Sequence, residues 1–411
     1  MISFSEALDK TISHVRPLSS ERLDLVEATG RIAAEDLFSK TESPSVDVSL
    51  KDGFAIHSGD IASASAKDPA YLRIIGEIAA GGAWNSEIGA GETVKVLSGA
   101  RLPDGADAVI AVEFTSYDGE TLAVTRDASP GRNILVRGTD LQKHDHLINA
   151  GTPLEPASLG LLAAGGHSDV LVHKRPRVGI LATGDEVIAP GEPLVEGKLY
   201  ASNMVTLAAW CAKYGWPVET RVVPDDPSHI REGLETSLAG CDVVLTSGGA
   251  WKGARDLVVH TLDGMGWRKI FHQVRIGPGK AVGFGLFESK PVFCLPGGPP
   301  SNLMAFLQLA LPGIKKLGGW TDQSHHTLDA ILEEDLQGVV DWTQFIFGQL
   351  VQGEDALSFT PLRMKSRLRE MAISNSVATI PEGVSKINSG TPIQVQLLDS
   401  AVLVNNTTNP K

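Results

Sequence analysis

Between positions 176 and 318 the spacing of apolar residues changes repeatedly, from runs typical of buried strands to helical periodicity. VGILAT, VETRVV and DVVLT predict strands, because they are short, apolar and bounded by turn residues. SNMVTLAAWCAKYG and SHIREGLETSLAG predict helices between them, and NLMAFLQLAL predicts a last helix. Two further strands flank GPGKAVGFG. Strands that alternate with helices predict a parallel, doubly wound α/β sheet.

The chain on either side of this segment has other patterns. Residues 1 to about 40 look helical, since Phe4, Leu8 and Ile12 have helical spacing and Val26 to Leu37 is again apolar-periodic. Short apolar runs separated by Gly, Pro and Asp predict a small all-β module over the next hundred or so residues. PASLGLLAAGG then predicts a helix, and the chain from about residue 325 is again β-like.

Composition indicates a globular protein and narrows its partners. Of the 411 residues, 42% are apolar and 21% charged, which is enough to build several cores. A net charge of −13 argues against broad binding to nucleic acid or to anionic membranes. The three cysteines, Cys211, Cys241 and Cys294, have no metal-binding spacing and predict buried thiols. With no signal-like N-terminus and no membrane-length apolar run, we expect a cytoplasmic protein.

The stretch Asp242 to Asp256, DVVLTSGGAWKGARD, has the pattern of a ligand-binding turn. A buried strand ends at Ser247-Gly248-Gly249, and a helical pattern begins near Arg255. Glycines let the backbone approach a phosphate closely, and ligands of open α/β sheets bind at the carboxyl ends of the strands. An ordinary turn without a ligand is the alternative, because a short Gly-Gly motif is weak evidence.

Carboxylates follow three consecutive strands of the predicted sheet. Asp185 and Glu186 follow the first, Asp225 and Asp226 the second, and Asp256 the third. Mg²⁺ is usually held by one or two carboxylates together with phosphate oxygens, so this edge of the sheet is a candidate magnesium site. The alternative is that these residues cap helices and solvate loops, as Asp often does.

Cations occur in two further places. Lys280 follows a tight turn in GPGK and, with Arg275 and Arg255, is a candidate for neutralising a phosphate. RMKSRLRE, at 363–370, carries four cations; it is either a solvated face or an anion-binding contribution from the last domain. The histidines have no ligand spacing, and no Ser-His-Asp or Cys-His arrangement is evident.

Nine motifs follow one another along the chain: DVSLKDGFAI, VLSGARLPDGADAVIAVE, RPRVGILATGDEV, YASN, PDD, LTSGGAWKGARD, GPGKAVGFG, CLPGGPPS and MAISNSVATIPEG. Taken in this order, the motifs resemble those of the molybdopterin molybdenumtransferase family, the molybdenum insertases that include the E domain of gephyrin. The resemblance covers nearly the whole chain, so it does not depend on any single motif.

This resemblance implies four domains and a homodimer whose site lies where two chains meet. The expected domains are an elongated linker and dimerisation domain, a small β domain, a doubly wound α/β molybdopterin-binding domain and a C-terminal β-barrel-like domain. Their expected ranges are 1–45 with 141–175, 46–140, 176–325 and 326–411 respectively. The implied reaction is Mg²⁺-dependent insertion of molybdate into adenylylated molybdopterin with release of AMP, and a molybdopterin adenylyltransferase is the expected partner.

Motif positions also assign roles to residues. The catalytic positions are Asp52, Glu186, Asp226, Asp256 and Lys280. The substrate-binding positions are Ser98, Asp140, Thr183, Gly184, Ser247, Gly248, Gly249, Pro296, Gly297 and Pro299. The expected Mg²⁺ ligands are Asp185, Glu186 and Asp256.

Several loops depart from the family pattern. Where the family has S-V-G-D after Gly-Gly, this chain has WKGA, so Ala254 has lost a carboxylate. Gly277 replaces the first lysine of K-P-G-K-P, and Gly298 replaces the asparagine of L-P-G-N-P. These departures keep three other functions open: a non-catalytic molybdopterin carrier, a tungstate-inserting variant, and a phosphohydrolase built on the same α/β domain.

Overall fold

A computed structural model describes residues 1–82, 84–248, 257–353 and 356–398, together with the backbone of Val404–Asn405. Gly249, Trp251, Lys252, Ala254 and Asp256 therefore lie outside the described residues. Arg255, a predicted phosphate-neutralising cation, also lies outside them, and the other predicted site residues lie within them.

A six-stranded sheet forms the centre of the α/β domain. Its strands are β1 Val178–Thr183, β2 Val218–Val223, β3 Val243–Ser247, β4 Arg268–His272, β5 Gly283–Phe287 and β6 Lys290–Leu295. The strand order is 2-1-3-6-5-4. β2, β1, β3 and β6 run parallel, as the alternating pattern predicts.

One strand departs from the parallel arrangement. β5 runs antiparallel to both of its neighbours, so the sheet is mixed at this edge. The reason is the short connection between β5 and β6, which contains only Glu288 and Ser289. A parallel pair needs a crossover of about a dozen residues or more, whereas a hairpin needs about two.

Helices cover both faces of the sheet. They are α1 Ser202–Lys213, α2 Pro227–Gly240, α3 Leu257–Gly264, α4 Pro299–Ala305 and α5 Leu311–Leu317, with a π-helical turn at Phe306–Ala310 between the last two. α1 and α4 pack in one apolar core, and α2 and α3 pack in the other. Val243 and Leu245 of β3 point into the first core and Val244 into the second, as strand alternation requires. The doubly wound prediction is confirmed.

The three cysteines are buried within this domain, as predicted. Cys211 lies on α1 and is fully buried in the first core. Burial raises the pKa of its thiol to about 12, because a thiolate would lose its hydration there.

The N-terminal region combines a helix with short strands. The Phe4–His14 helix is capped by Ser3, whose hydroxyl accepts a hydrogen bond from the Glu6 N–H. Ser20–Asp24 pairs antiparallel with Asp169–His173, and Leu37–Phe38 pairs with His146–Ile148. The predicted helix in PASLGLLAAGG is present as Pro156–Ala164.

The helical interpretation of Val26 to Leu37 is wrong. This segment forms turns, two isolated β-bridges and the start of a short strand. Gly30 adopts a φ of +68°, which ends any helical path at that point. Ala28, Ala33 and Leu37 are buried in a core that they share with the Asp169–His173 strand, so tertiary packing explains their apolar spacing.

The small β domain is an open, half-barrel sheet of six strands. In spatial order these are Ala108–Ala111, Gly53–Ile56, Glu92–Val96, Ala70–Ile78, Thr121–Val124 and Thr115–Tyr117. Gly53–Ile56 is buried along its whole length between two antiparallel neighbours. Short pairings also join Val48–Ser49 to Ile134–Leu135.

The C-terminal region forms a closed barrel, as expected. Its five strands are Thr327–Leu332, Thr343–Gln352, Leu357–Pro361, Ser376–Ile380 and Pro392–Leu397. Thr343–Gln352 pairs with both Leu357–Pro361 and Ser376–Ile380, which closes the circle. The helix α6, Arg367–Ile373, lies between these last two strands along the chain.

The barrel is joined to the α/β domain by backbone and by side chains. Ile276–Gly277 pairs parallel with Thr343–Gln344 of the barrel. Phe345, Phe347 and Val377 are buried in the same core as α1 and α4 of the α/β domain. In the part of the chain that the structure describes, no helix has the length and apolar character needed to span a membrane.

Candidate active site

A cavity of about 690 Å³ opens where β1, β3 and β6 end. It lies at the carboxyl ends of the parallel strands, which is where open α/β sheets bind ligands. Six of the predicted catalytic or substrate-binding residues line it: Thr183, Glu186, Ser247, Gly248, Gly297 and Pro299. Three strand exits that lie far apart in the sequence therefore meet at one cavity.

Two of the strand exits depend on glycine. Gly184 follows β1 with a φ of +143°, and Gly248 follows β3 with a φ of +106°. A side chain at position 248 would place its Cβ 2.5 Å from the Thr183 carbonyl oxygen. Only glycine therefore allows the β1 and β3 loops to approach so closely, and the approach leaves bare backbone facing the cavity.

Two asparagine amides join the β3 exit to the β6 exit. Nδ2 of Asn302, which is 1% exposed, donates to Ser247 Oγ at 3.1 Å and to the Pro296 carbonyl at 2.8 Å. Nδ2 of Asn203 donates to the same Oγ at 3.3 Å and to the Gly297 carbonyl at 2.8 Å. Because both amides donate to it, the Ser247 hydroxyl keeps its own proton for an acceptor in the cavity.

Carboxylates gather beside the cavity, at the exits of β1 and β2. The Asp185 carboxylate accepts a hydrogen bond from the Asp225 N–H at 3.1 Å. Burial, and then the negative charges of Asp185 and Glu186, raise the pKa of the Asp225 carboxyl. The neighbouring Thr183 hydroxyl opposes this rise, although its geometry to the carboxylate falls short of a hydrogen bond.

The Asp226 side chain, by contrast, caps a helix through hydrogen bonds from backbone N–H groups. It is the N-cap of α2, and its carboxylate accepts hydrogen bonds from the N–H groups of Ser228 at 2.9 Å and His229 at 3.2 Å. Hydrogen bonds from the Ser228 hydroxyl and the His229 backbone, the largest of these effects, hold the pKa of the Asp226 carboxyl at about 2. This position matches the capping alternative that the sequence left open.

Two of the predicted cations, Lys280 and Arg275, face the barrel. Lys280 Nζ lies 5.2 Å from the centre of the Trp342 ring, a cation–π contact. Arg275 donates to the Glu382 carboxylate at 2.7 Å. Neither side chain lines the 690 Å³ cavity.

The small β domain holds a separate group of predicted residues. Asp52 Oδ1 accepts a hydrogen bond from the Ser98 N–H at 2.7 Å, so these two are brought together. Asp140 lies exposed in a turn, where its N–H donates to the Ser43 carbonyl at 2.9 Å. None of the three lines the cavity of the α/β domain.

The predicted metal ligands are described only in part. Asp185 and Glu186 are exposed neighbours at the β1 exit, and Asp256 lies outside the described residues. Across the described ranges there is no group of three His, Cys, Asp or Glu side chains placed to hold a metal ion. The three-carboxylate magnesium site stays a prediction.

Sequence reasoning missed two contributions to the cavity. Asn302 looked like an ordinary residue of a helix, and nothing local distinguishes it. Ser366, Arg367 and Leu368 of the barrel also line the cavity, although their helix was not predicted. The cationic run at 363–370 was the available signal, and its anion-binding alternative is compatible with this position.

Comparison with known proteins assigns the family. Residues 2–166 match the MoeA N-terminal region (domain I and II), and residues 179–316 match a probable molybdopterin binding domain. Molybdopterin molybdenumtransferase 2 of Mycobacterium tuberculosis is 30% identical over 387 residues, which are 92% of this chain and 95% of that protein. The chain belongs to the molybdopterin molybdenumtransferase family.

Other relatives agree along the whole length. The molybdopterin molybdenumtransferase of Haemophilus influenzae is 29% identical over 403 residues, covering 96% of this chain and 98% of that protein. The crystal structure of the molybdopterin biosynthesis MoeA protein from Pyrococcus horikoshii OT3 has a TM-score of 0.82 at 30% identity. That match covers 97% of this chain and 100% of the other. The resemblance seen in the motifs is confirmed, and the chain is a member of an enzyme family.

Proposed function

We propose that this molybdopterin molybdenumtransferase inserts molybdate into adenylylated molybdopterin and releases AMP in a Mg²⁺-dependent reaction. The observation that carries the proposal is the meeting of three strand exits at one cavity. A volume of about 690 Å³ is suited to a ligand of nucleotide or pterin size. The relatives' names supply molybdopterin and molybdenum as the chemistry.

The residues of the cavity have roles in binding and orientation. The Gly184 and Gly248 turns let phosphate oxygens approach the backbone, and the Ser247 hydroxyl offers a donor. Asn203 and Asn302 hold the β3 and β6 exits at a fixed separation. Cleavage of a phosphoanhydride needs positioning and charge neutralisation more than covalent catalysis, and this arrangement supplies positioning.

The carboxylates at the β1 and β2 exits fit a divalent cation. Burial, and after it the negative charges of Asp185 and Glu186, raise the pKa of the Asp225 carboxyl, so a cation at these exits would be favourable. A bound Mg²⁺ would supply charge neutralisation on phosphate oxygens. Asp185 and Glu186, with Asp256, are the residues we propose to hold it, and magnesium commonly needs only one or two carboxylates besides the substrate.

We further propose that two chains complete each site. Asp52, Ser98 and Asp140 belong to the small β domain, away from the cavity-lining residues of the same chain. A twofold homodimer would let the small β domain of one chain face the α/β cavity of its partner. Lys280, at the junction with the barrel, is proposed to act at the same site.

The remaining parts of the proposal follow from the substrate. An adenylylated pterin must come from a molybdopterin adenylyltransferase, which we propose as a partner enzyme. We propose a cytoplasmic reaction, with no nucleic acid and no membrane as partners.

The test is an insertion assay with purified protein, adenylylated molybdopterin, Mg²⁺ and molybdate. AMP release and cofactor formation are followed together, with and without a chelator and with tungstate in place of molybdate. Chelator-sensitive release of AMP coupled to molybdenum incorporation supports the proposal. Tight binding without AMP release would leave a carrier, hydrolysis of unrelated nucleotide anhydrides a phosphohydrolase, and incorporation of tungsten alone the tungstate variant.

A further inference from the structure

Two cavities meet at one arginine. The first is the 690 Å³ cavity of the α/β domain, and the second, of about 430 Å³, lies between that domain and the barrel. The second cavity is lined on one side by Pro278 and Ser301 and on the other by barrel residues such as Phe347. Arg367, the first residue of α6, lines both cavities.

Arg367 is the cation of both cavities. Among the described residues that line either cavity, it is the one Lys or Arg, and Glu186 is the one carboxylate. Arg363, four residues earlier, pairs with Glu334 at 3.4 Å. Within the described part of the chain, no carboxylate lies within ion-pair distance of Arg367, so its guanidinium has donors to offer a ligand.

The helix that begins at the cavity lacks the usual donors. α4 starts with Pro299 and Pro300, and proline has no N–H, so the first turn cannot bind an anion through these two positions. The Asn302 N–H is already bonded to the Gly298 carbonyl at 2.8 Å. Few N–H donors are thus left in this first turn, so a charged ligand at this edge would gain from donors elsewhere.

Gly298 gives Arg367 access to this position. A Cβ built on Gly298 would lie 4.0 Å from a guanidinium nitrogen of Arg367, which places the guanidinium beside the start of α4. Any larger side chain at 298 would occupy the space between the arginine and the helix. Position 298 thus has no side chain, positions 299 and 300 have no N–H groups, and the Arg367 guanidinium lies beside this turn.

The backbone that carries the arginine is held in place. α6 packs against α4 and against the Thr343–Gln352 strand. Met364 and Met371, on either side of Arg367, pack on the core that the barrel shares with the α/β domain. Met364 has a φ of 49°, an uncommon conformation for a residue other than glycine, which directs the chain into α6. The Arg367 side chain itself is exposed and accessible to a ligand.

We propose that Arg367 binds a tetrahedral oxyanion of the substrates where the two cavities meet. The inference rests on the proposed function for the identity of those substrates. Two sources share this chemistry: a phosphate of the adenylylated pterin in the larger cavity and molybdate in the smaller one. Arginine suits either, because its planar fork of N–H donors matches tetrahedral oxyanions.

The experiment compares Arg367→Ala and Arg367→Lys with Arg369→Ala. Arg369 lies on the same short helix and is exposed, but it lines neither cavity. Arg369→Ala therefore changes the net charge as Arg367→Ala does, without altering either cavity. Dissociation constants for adenylylated molybdopterin, AMP and molybdate are measured on the full-length protein at equilibrium, at two salt concentrations. KM and kcat follow where turnover is present, and thermal unfolding checks folding.

We expect Arg367→Ala to weaken binding of at least one oxyanion ligand about 10- to 100-fold, the usual effect of losing a charged hydrogen bond. Arg367→Lys should recover part of this loss, and Arg369→Ala should stay within about twofold of the parent protein. A loss of affinity for adenylylated molybdopterin or AMP would place the oxyanion in the larger cavity, and a loss of affinity for molybdate would place it in the smaller one.

Unchanged affinity for all three ligands in a folded Arg367→Ala protein would overturn the inference. An equal loss in Arg369→Ala would do the same, because it would indicate general electrostatics. Neither result touches the proposed function, which depends on turnover by the unmodified protein. Failure of that turnover would leave the affinity comparison intact.

Discussion

The exits of β1, β3 and β6 and the turns of the small β domain both carry residues that the motifs assign to a site, yet the two regions differ. In the α/β domain the assigned residues converge on one cavity. In the small β domain Asp52 is bonded to Ser98, while Asp140 lies apart on an exposed turn, and none of the three lines the 690 Å³ cavity or the two 430 Å³ cavities of the described residues. The α/β domain therefore forms a candidate site, whereas the small β domain presents only some of the residues of one.

The difference follows from how the two folds place their loops. The carboxyl ends of parallel strands lie at the same edge of the sheet, so the loops that follow these strands lie close together. The small sheet is mostly antiparallel, so its turns are divided between both ends. A fold of the second kind can present isolated residues to a partner surface. The small β domain has a cavity of about 430 Å³ beside Asp47, Arg101 and Arg137, but the assigned residues do not line it. The comparison thus favours a site shared between two chains.

The largest effect is expected for Glu186→Gln, which removes the carboxylate that lines the cavity. We expect a fall in turnover of about 100-fold or more, the range typical for one catalytic electrostatic contact. Initial rates of AMP release measure it. Glu192→Gln, on the same loop but away from the cavity lining, is the matched control and should keep its activity. Similar losses in both variants would mean that general charge matters and the cavity does not.

A mixing experiment tests the shared site directly. Asp52→Asn, in the small β domain, should also lower turnover strongly if that region completes a partner's site. Mixed one to one and allowed to exchange chains, Asp52→Asn and Glu186→Gln proteins should recover about one quarter of the normal rate, because half of the dimers then contain one intact site of two. Asp52→Asn mixed with itself gives the baseline. If the mixture stays at that baseline although heterodimers are detected, each site lies within one chain.

A smaller effect is expected for Asn302→Leu. The substitution removes two hydrogen bonds between the β3 and β6 exits and leaves Ser247 and Pro296 without these donors. Misplacement of the two loops should lower kcat/KM about tenfold, while unfolding is shifted modestly. Gln308→Leu removes another buried amide, bonded to Gln396 at 2.6 Å outside the cavity, and controls for stability alone. Equal activity of the two variants would show that the amide at 302 only supports the fold.

The smallest effect on turnover is expected for Asp226→Ala. Because this carboxylate caps α2, its loss should lower the melting temperature by a few degrees and change turnover less than about twofold. The folded pKa of about 2 lies below the unfolded value, so the cap stabilises fully above about pH 4 and its contribution is lost as the pH falls through 2. Melting curves at pH 7 and pH 3 measure this, with Glu235→Ala on the same helix as the control. A hundredfold loss of turnover would instead establish the catalytic role that the motif implies.

Much of the fold could be predicted because it is local in origin. The change of apolar spacing between strands and helices identifies the α/β domain, and turn residues at short intervals identify the two β regions. The direction of β5 required attention to the two-residue connection at Glu288 and Ser289. The helical prediction for Val26 to Leu37 failed because apolar spacing indicates only which residues are buried. A folded loop can also bury residues at helical intervals.

The site was predictable only where the motif and the fold coincide. Gly248 follows a strand, so its place at the edge of the sheet could be predicted from the sequence. Arg367 and Asn302 depend on contacts between distant segments, and no local spacing encodes them. No residue of α6 is fully buried, although Met371 packs on the shared core, and this short helix forms where tertiary packing holds it.

The pairing of Ile276–Gly277 with Thr343–Gln344 has a practical consequence for dividing the molecule. The barrel has a core of its own, with Leu332 and Phe359 among its buried residues, but it also supplies Phe345, Phe347 and Val377 to the core beneath β1 and β3. A chain shortened to end before residue 326 would expose that apolar surface and an unpaired strand edge together, the combination that leads to aggregation. Proteases should accordingly find the barrel hard to release, and the two parts should melt as one unit.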